Sequence, residues 1–579
     1  MKGHKQRVTK FRGTFIASKY TAMLYSGTIL MVLTAIMGVA DTLVGGVILG
    51  ETAVAGICLA LPLYSMASFF AVFFSYGVPI LYAGKVGAFR KEEADRCFGV
   101  GLSVTSLTGL LMFTAIAFGG DAFLKAYQPD SRVYACASDY LAGMKFAVLL
   151  LPLNELLDGM LFADGDEAIS LAANLTQGVV KIVLSVFLCR EMGVKGLALA
   201  SFIGFTVSIL LSAIHFFRPG NTLRLNLAFS WNIFRGILKY GIVDASTHLF
   251  VSLFTVAINF FVMRVFGSER LVLVSVVTLL KETQILFEGI GEAITPLISI
   301  YMGEKCYPGV RKVWKLAVWS VRAEGLLSTV FWLAVAPFIV DLLGIENPLT
   351  AEYAVRGLRI LSVTLVFTCR LFLDSSYFIL ADNIRLGVLD SVLRDLFPAL
   401  PLAVIGGLIG GVYGMYVGLM AAPVIGYLLS VLYIKHRYGR DNYPLLLKER
   451  EDGTARTLYE FRVQPAAITA VRDQIGEALR DYGCSERLIG RTSFVFEELF
   501  MLIYDSNPKK KVKAECMVEI GESIRLITKD DGRIVDLLDT DQRVVSLRAY
   551  ALSNMIETHT TRRVHSLALS FNHNALEMR

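Results

Sequence analysis

Long apolar stretches, each about the 20 residues needed to cross a bilayer core about 30 Å thick, fill the chain as far as Ile434 and fall into two similar halves. The duplication is visible in the letters. Gly193-Val194-Lys195-Gly196 returns as Gly411-Val412-Tyr413-Gly414, and Pro79-Ile80-Leu81-Tyr82 ahead of Gly87 returns as Pro296-Leu297-Ile298 ahead of Gly303. A period of about 217 residues is far too long for a solenoid and fits a duplicated bundle of spans, an arrangement that places a site between two halves. The expected fold is an all-α polytopic membrane protein of twelve transmembrane helices in two six-helix lobes, residues 1–220 and 221–437.

Composition and charge agree. The hydrophobic share is 55% over 579 residues and the mean hydropathy is +0.57, values for which a membrane is the fitting solvent. Met1 to Lys19 carries Lys2, Lys5, Arg7, Lys10, Arg12 and Lys19, no acidic residue and no small-residue cleavage site, and reads as an uncleaved cytoplasmic start. Further basic clusters at Lys85 to Arg96, Arg218 to Lys239 and Lys435 to Arg440 belong on the same side by the positive-inside rule. Both termini are therefore expected in the cytoplasm and the protein in the cell (inner or plasma) membrane. The net charge of +6 is read as a topology signal, with no nucleic-acid partner. Eight scattered cysteines without a C-x-x-C pair indicate neither a disulfide framework nor a zinc site.

After Ile434 the text changes. Residues 438–457 form a polar linker, and 458–579 read as a cytosolic α/β sandwich domain. Strands are expected at Tyr459 to Val463, Ala514 to Ile520 and Ser523 to Thr528, and helices over Ile468 to Tyr482 and Ser485 to Tyr504, from period-two and period-3.6 alternation.

Ionisable residues inside apolar spans are expensive and mark ion or substrate paths. Asp41 stands in mid-helix in the first lobe, with Lys181 further on. The second lobe holds Asp244 with His248, Lys281, Glu282, Glu288 and Glu292, Arg370 with Asp374, and Asp390, Arg394 and Asp395. Glu288 and Glu292 stack one turn apart and are candidates to meet a cation. Asp390, Arg394 and Asp395 are expected near span ends, in water. Asn259, near the repeat equivalent of Asp41, reads as a helix-packing hydrogen bonder.

Three stretches carry a resemblance: Gly38-Val39-Ala40-Asp41-Thr42-Leu43-Val44-Gly45-Gly46 with Ala53-Val54-Ala55-Gly56, Gly165-Asp166, and Gly193 through Ser201. Together they resemble the multidrug and toxic compound extrusion (MATE) family over about residues 15 to 440. The resemblance implies a bacterial-type antiporter that exports bulky, often cationic organic solutes in exchange for protons or sodium ions. It implies that Asp41 works with polar partners on the fifth helix. The family's N-I-x-L-D reads here Lys181-Ile182-Val183-Leu184-Ser185, so a cation replaces the amide and a hydroxyl the second carboxylate, and Ser201 stands where the family often has Thr. An Asp41–Lys181 pair that breaks and re-forms during transport and a pair that only stabilises the lobe both remain open. The partners implied are the lipid bilayer and a small organic solute, with no catalytic residue, no metal and no cofactor beyond the coupling ion.

The tail resembles the ATP-binding fold of histidine kinases and serine-kinase anti-sigma factors, on Phe496-Glu497-Glu498-Leu499-Phe500 and on Thr528 through Asp536. By that resemblance Glu498 stands at the base position and Asp530 with Gly532 at the adenine contact, whereas the magnesium-binding Asn is Leu502. The lid segment Val544 to Tyr550 lacks glycine. Phosphoryl transfer would lack its metal ligand and its enclosure, so the tail reads as a pseudo-enzyme that regulates or binds a cytosolic protein partner, with an adenine contact left open. Two other functions stay in view: a lipid-linked glycan flippase of similar architecture, disfavoured by few membrane cations, and a membrane-anchored signalling protein acting through the tail.

Overall fold

The structure, a computed structural model, describes residues 15–49, 51–126, 131–218, 221–266, 273, 277, 280–281, 283–342, 348–448, 454–508, 510–521, 523–532, 556–561 and 564–572. Uninterrupted apolar sequence satisfies its backbone internally and becomes helix. The first lobe contains α1 (Phe15–Leu49), α2 (Glu51–Ser75), α3 (Gly77–Gly87), α4 (Lys91–Ala126), α5 (Ser131–Ala163), α6 (Glu167–Met192) and α7 (Val194–Ala213). The second contains α8 (Trp231–Phe266), α9 (Gln284–Gly303), α10 (Tyr307–Leu342), α11 (Pro348–Ser362), α12 (Leu365–Leu380), α13 (Ile384–Asp395) and α14 (Ala399–Tyr438). Among the described residues nine helices are long and apolar enough to cross a membrane, or ten when α11 and α12, bent by 50° at their junction, count as one. The chain is a multi-pass membrane protein.

The duplication reaches the backbone. Left-handed residues close corresponding turns: Phe89 (φ 59°) after α3 and Lys305 (φ 58°) after α9; Gly165 (φ 80°) between α5 and α6 and Asp382 (φ 56°) between α12 and α13. Gly193 (φ 63°, ψ −144°) between α6 and α7 has its counterpart in Gly411 (φ 62°, ψ −148°), which breaks α14 into two helices. Glycine recurs at that last turn because a side chain there is strained whatever the space around it.

The lobes meet closely at one end. A Cβ on Gly87 would lie 2.3 Å from the Ile300 carbonyl oxygen, and one on Gly303 would lie 2.4 Å from the Gly84 carbonyl oxygen, so α3 and α9 cross backbone to backbone at reciprocal positions. Elsewhere α1 bridges the lobes. Its start, with Phe15, Ile16, Tyr20 and Met23, belongs to the second lobe's core, while Met37 and Asp41 face α6.

The start of the expected linker is not a free spacer. Leu446 and Leu447 are buried in the second lobe's core, and Tyr377 of α12 donates to the Leu445 carbonyl at 2.8 Å. Beyond it lie β1 (Ala455–Arg462), α15 (Pro465–Asp481), α16 (Glu486–Asp505), β2 (Lys513–Ile520), β3 (Ser523–Asp530), β4 (Ile556–Thr561) and β5 (Val564–Asn572). The strands form an antiparallel sheet in the order β1-β2-β3-β5-β4. Its alternation sorts the side chains. Tyr459, Phe461, Cys516, Val518, Ile524 and Leu526 share a core with Ile475 of α15 and Phe496 and Phe500 of α16, whereas Met517 and Ile527 belong to the core of the membrane bundle. Both faces of this sheet are therefore covered.

Candidate functional site

Asp41 sits in α1, 8% exposed, against α5 and α6. Tyr140 of α5 donates to its Oδ2 at 3.0 Å, and Lys181 Nζ of α6 lies 3.5 Å from its Oδ1 while donating to the Met37 carbonyl at 3.1 Å. The lysine thus also satisfies a carbonyl of α1, fixing the helix that carries the carboxylate. Ser185, one turn beyond Lys181, is fully buried and Ser201 half-buried; among the described residues neither is hydrogen-bonded to Asp41.

Tyr64 of α2 lies within electrostatic reach of both Asp41 and Glu155, linking this pair to a second acidic group. Glu155 of α5 is solvent-exposed despite its place in a span. It lies within electrostatic reach of Asp158 one turn on and of Glu292 across the lobe boundary on α9. Asp158 accepts hydrogen bonds from Ser170 Oγ and from Asn174 Nδ2, the latter at 2.8 Å. Glu292 accepts from Tyr76 Oη at 2.6 Å, a contact that itself joins the lobes. Glu288 is half-buried one turn earlier on α9. The arrangement offers three carboxylates on facing walls, with hydroxyl and amide donors that orient two of them. Such a group can hold a cation between lobes or exchange protons with water that enters the boundary.

Glu155 and Asp158 were not singled out from sequence. Their signal was available: Asn154-Glu155 and Asp158 follow Pro152 inside an apolar run, at the i, i+3 spacing that shares a helix face.

The second lobe's charges differ from expectation. Asp390 and Asp395 are fully buried and Arg394 is 5% exposed, so none of the three is in water. Arg394 pairs with Asp395 at 2.8 Å, donates to Thr247 of α8 and lies over the Phe372 ring, and Lys281 Nζ donates to the Asp395 carbonyl at 2.9 Å. Thr247 of α8, Phe372 of α12 and Lys281 hold Arg394 and Asp395 inside the lobe, whereas neither carboxylate oxygen of Asp390 has a hydrogen-bond partner among the described residues. Arg370 pairs with Asp374 at 3.0 Å on the face that i, i+4 spacing gives. The side chains of Asp244, His248, Asn259 and Glu282 lie outside the described residues.

A buried histidine organises the first lobe's turn. His215 Nδ1 is 2.8 Å from Asp166 and Nε2 2.9 Å from Asp164, which flank Gly165, so the end of α7 is tied to the α5–α6 corner. In the tail, Glu498 and Leu502 of α16 are half-buried, Leu502 packing against the domain core, and Asp530 accepts from the Gly532 amide at 2.8 Å. Burial pushes the Asp530 carboxyl up to about 6. Residues 544–550, the expected lid, lie outside the described residues.

The family model described as MatE matches residues 28–187, the stretch that contains Asp41, Glu155, Asp158 and Lys181. No curated protein matches the chain. Among solved structures, the chain is similar to a multidrug resistance MATE family transporter of the MOP superfamily in an outward-facing conformation: 19% identity, TM-score 0.67, covering 75% of this chain and 98% of that one. A MOP superfamily transporter from Pyrococcus furiosus matches at 20% identity and TM-score 0.66, covering 74% and 99%. The Vibrio cholerae MATE transporter VcmN in its bent form matches at 15% and 0.67, covering 73% and 96%. The membrane part of this chain has the fold of MATE transporters.

Proposed function

We propose that the chain is a secondary antiporter that exports organic, predominantly cationic solutes in exchange for protons or sodium ions, a carrier with no catalytic chemistry of its own. The observation that carries this reading is the set of carboxylates at the lobe boundary, Glu155 of α5 within electrostatic reach of Glu292 of α9 and of Asp158, with Tyr64 within reach of both Glu155 and Asp41. A fixed carboxylate attracts a lipophilic cation and is released from it by a proton or a small cation, so one group serves both halves of an exchange. Asp41 is the coupling residue and Lys181 its conditional partner: the ammonium neutralises the carboxylate while the site is empty and yields it when a coupling ion arrives. Ser185, Ser201 and Glu288 line the same path. The protein resides in the cell membrane with both termini in the cytoplasm, and its tail is a regulatory domain that does not turn over ATP.

The test is transport by purified protein in vesicles carrying a fluorescent organic cation, with proton and sodium gradients imposed separately. The expected result is movement of the dye against its own gradient with one of the two. Failure of both gradients to drive it, with the protein correctly inserted, overturns the antiporter reading.

A further inference from the structure

The tail is seated on the end of the bundle where the lobes are pressed together. One sheet face carries, in register across β1, β2 and β3, the row Glu460, Glu515, Lys529 and, next to it, the row Leu458, Met517, Ile527. In an antiparallel sheet with helices on its other side, charged residues in this phase would ordinarily face water. Here Glu515 and Lys529 are 2% and 4% exposed and Glu460 is 7% exposed. Their partners belong to the bundle.

The second lobe supplies the firm contacts. Lys529 Nζ lies 2.5 Å from Glu304 Oε2, in the turn after α9, and Tyr301 donates to Glu515 at 2.9 Å. Lys312 of α10 pairs with Glu460, and the Arg456 guanidinium lies over the Tyr307 ring. The first lobe supplies a lighter one. Arg525 lies 5.3 Å from the centroid of Phe89, in the turn after α3; the Ile16 amide, which donates to Glu460 at 3.1 Å, belongs to the start of α1 that packs in the second lobe's core. Phe89 and Glu304 adjoin Gly87 and Gly303, the two glycines at which α3 and α9 cross.

We infer that the C-terminal domain is a latch: it rides on the second lobe through Lys529, Glu515 and Glu460 and holds the first lobe at Phe89, keeping this end of the transporter shut until the domain shifts. A carrier with two lobes must part them at this end in half of its cycle. The contact with Phe89 cannot survive that motion while the tail remains fixed to Glu304. The chemistry of the seam suits repeated release. The strong, charge-assisted bonds lie on one lobe only, and the other is held by a cation over an aromatic ring. The inference rests on the proposed transport function only in requiring that the lobes move.

The experiment reads lobe separation in the full chain, in lipid nanodiscs and without any solute. Spin labels are attached through unnatural amino acids at the exposed positions Glu92 of α4 and Lys315 of α10. In the unsubstituted protein the distance distribution is expected to be dominated by the short, closed separation. Arg525→Ala, at a half-buried position outside the tail core, is expected to raise the long-distance population several-fold. Lys529→Glu is expected to raise it further, and Tyr301→Phe, made in the bundle so that the tail's own folding is untouched, moves it in the same direction. The proposal is overturned if all three variants keep the unsubstituted distribution, or if Lys511→Glu on an exposed part of the tail shifts it as much as Lys529→Glu. Because no solute is used, either failure would leave the transport reading standing.

Discussion

Between α5 and α6 of the first lobe, Asp158 accepts hydrogen bonds from Ser170 and Asn174; 217 positions further on, between α12 and α13 of the second, Ser375 bonds the Gly387 carbonyl and Ser391 at 3.1 Å each. The three places correspond one to one, and so do the turns at Gly165 and Asp382 that bring them together. A duplicated framework has kept its corners and changed its polar chemistry. In the first lobe the position holds a carboxylate beside the exposed Glu155. In the second it holds neutral hydroxyls, and that lobe's charges, Arg370 with Asp374 and Arg394 with Asp395, are sealed among its own helices. The comparison teaches that burial of charge has two uses here. Where carboxylates reach the lobe boundary they are available to ions, and where Asp374 and Asp395 are enclosed each pairs with an arginine of its own helix.

This division is open to attack at several points. The largest effect is expected at Lys181. Replacing it with Met leaves Asp41 buried without its cation, a change that costs about 3–5 kcal/mol and should reduce export to the level of empty vesicles. The double variant with Asp41→Asn should be more stable than Lys181→Met alone, which thermal unfolding in detergent will show; additive losses would mean that the two side chains act independently. Next, Arg394→Met should destabilise the second lobe by a similar few kcal/mol, while protein that remains folded retains solute affinity. A smaller effect is expected when the first lobe is given the second lobe's chemistry. Asp158→Ser should slow export by about tenfold, the worth of one charged hydrogen bond, whereas Ser375→Ala should leave the rate nearly unchanged. Equal losses at the two equivalent positions would erase the contrast.

The smallest effect concerns the tail and pH. Burial pushes the Glu304 carboxyl up to about 7 from its usual 4.5, although Lys529 and Arg525 oppose the shift and Glu515 adds to it. A docked carboxyl that holds its proton more tightly than a free one favours docking below pH 4.5, and the advantage is lost as pH rises through about 7. Exchange protection of β3 amides should accordingly be greater at pH 5 than at pH 8, and Glu304→Gln should flatten the difference.

Much of the framework was legible in the letters. Gly193 and Gly411 announce a turn because positive φ combined with ψ near −144° and −148° is a backbone that essentially only glycine adopts, and the strands and helices of the tail announce themselves by their periods. Asp41 and Lys181 drew attention because ionisable groups are rare in apolar spans, and the fold sets them 3.5 Å apart. Glu155 and Asp158 obey the same rule, but their sequence neighbours carry no sign of Glu292, which α9 brings within electrostatic reach of Glu155. Asp390, Arg394 and Asp395 read as solvated because three charges stand at a helix end, and only the tertiary packing encloses them, with Thr247 against Arg394 and Lys281 against the Asp395 carbonyl. The seating of the tail was not legible at all. Glu515 and Lys529 alternate with apolar residues as a solvent-facing row does, and their partners Tyr301 and Glu304 lie 214 and 225 positions away.

The most direct test of the division between lobes sets Asp41→Asn beside Asp390→Asn in the same vesicles, under the gradient that drives the unsubstituted protein. Both substitutions neutralise a buried carboxylate without changing its shape. Asp41 belongs to the network that reaches Glu155, whereas Asp390 is enclosed beside Asp374 and Ser430. The account predicts that Asp41→Asn abolishes uphill movement of the organic cation while Asp390→Asn retains most of it. Uphill transport that survives in Asp41→Asn and is lost in Asp390→Asn would contradict it.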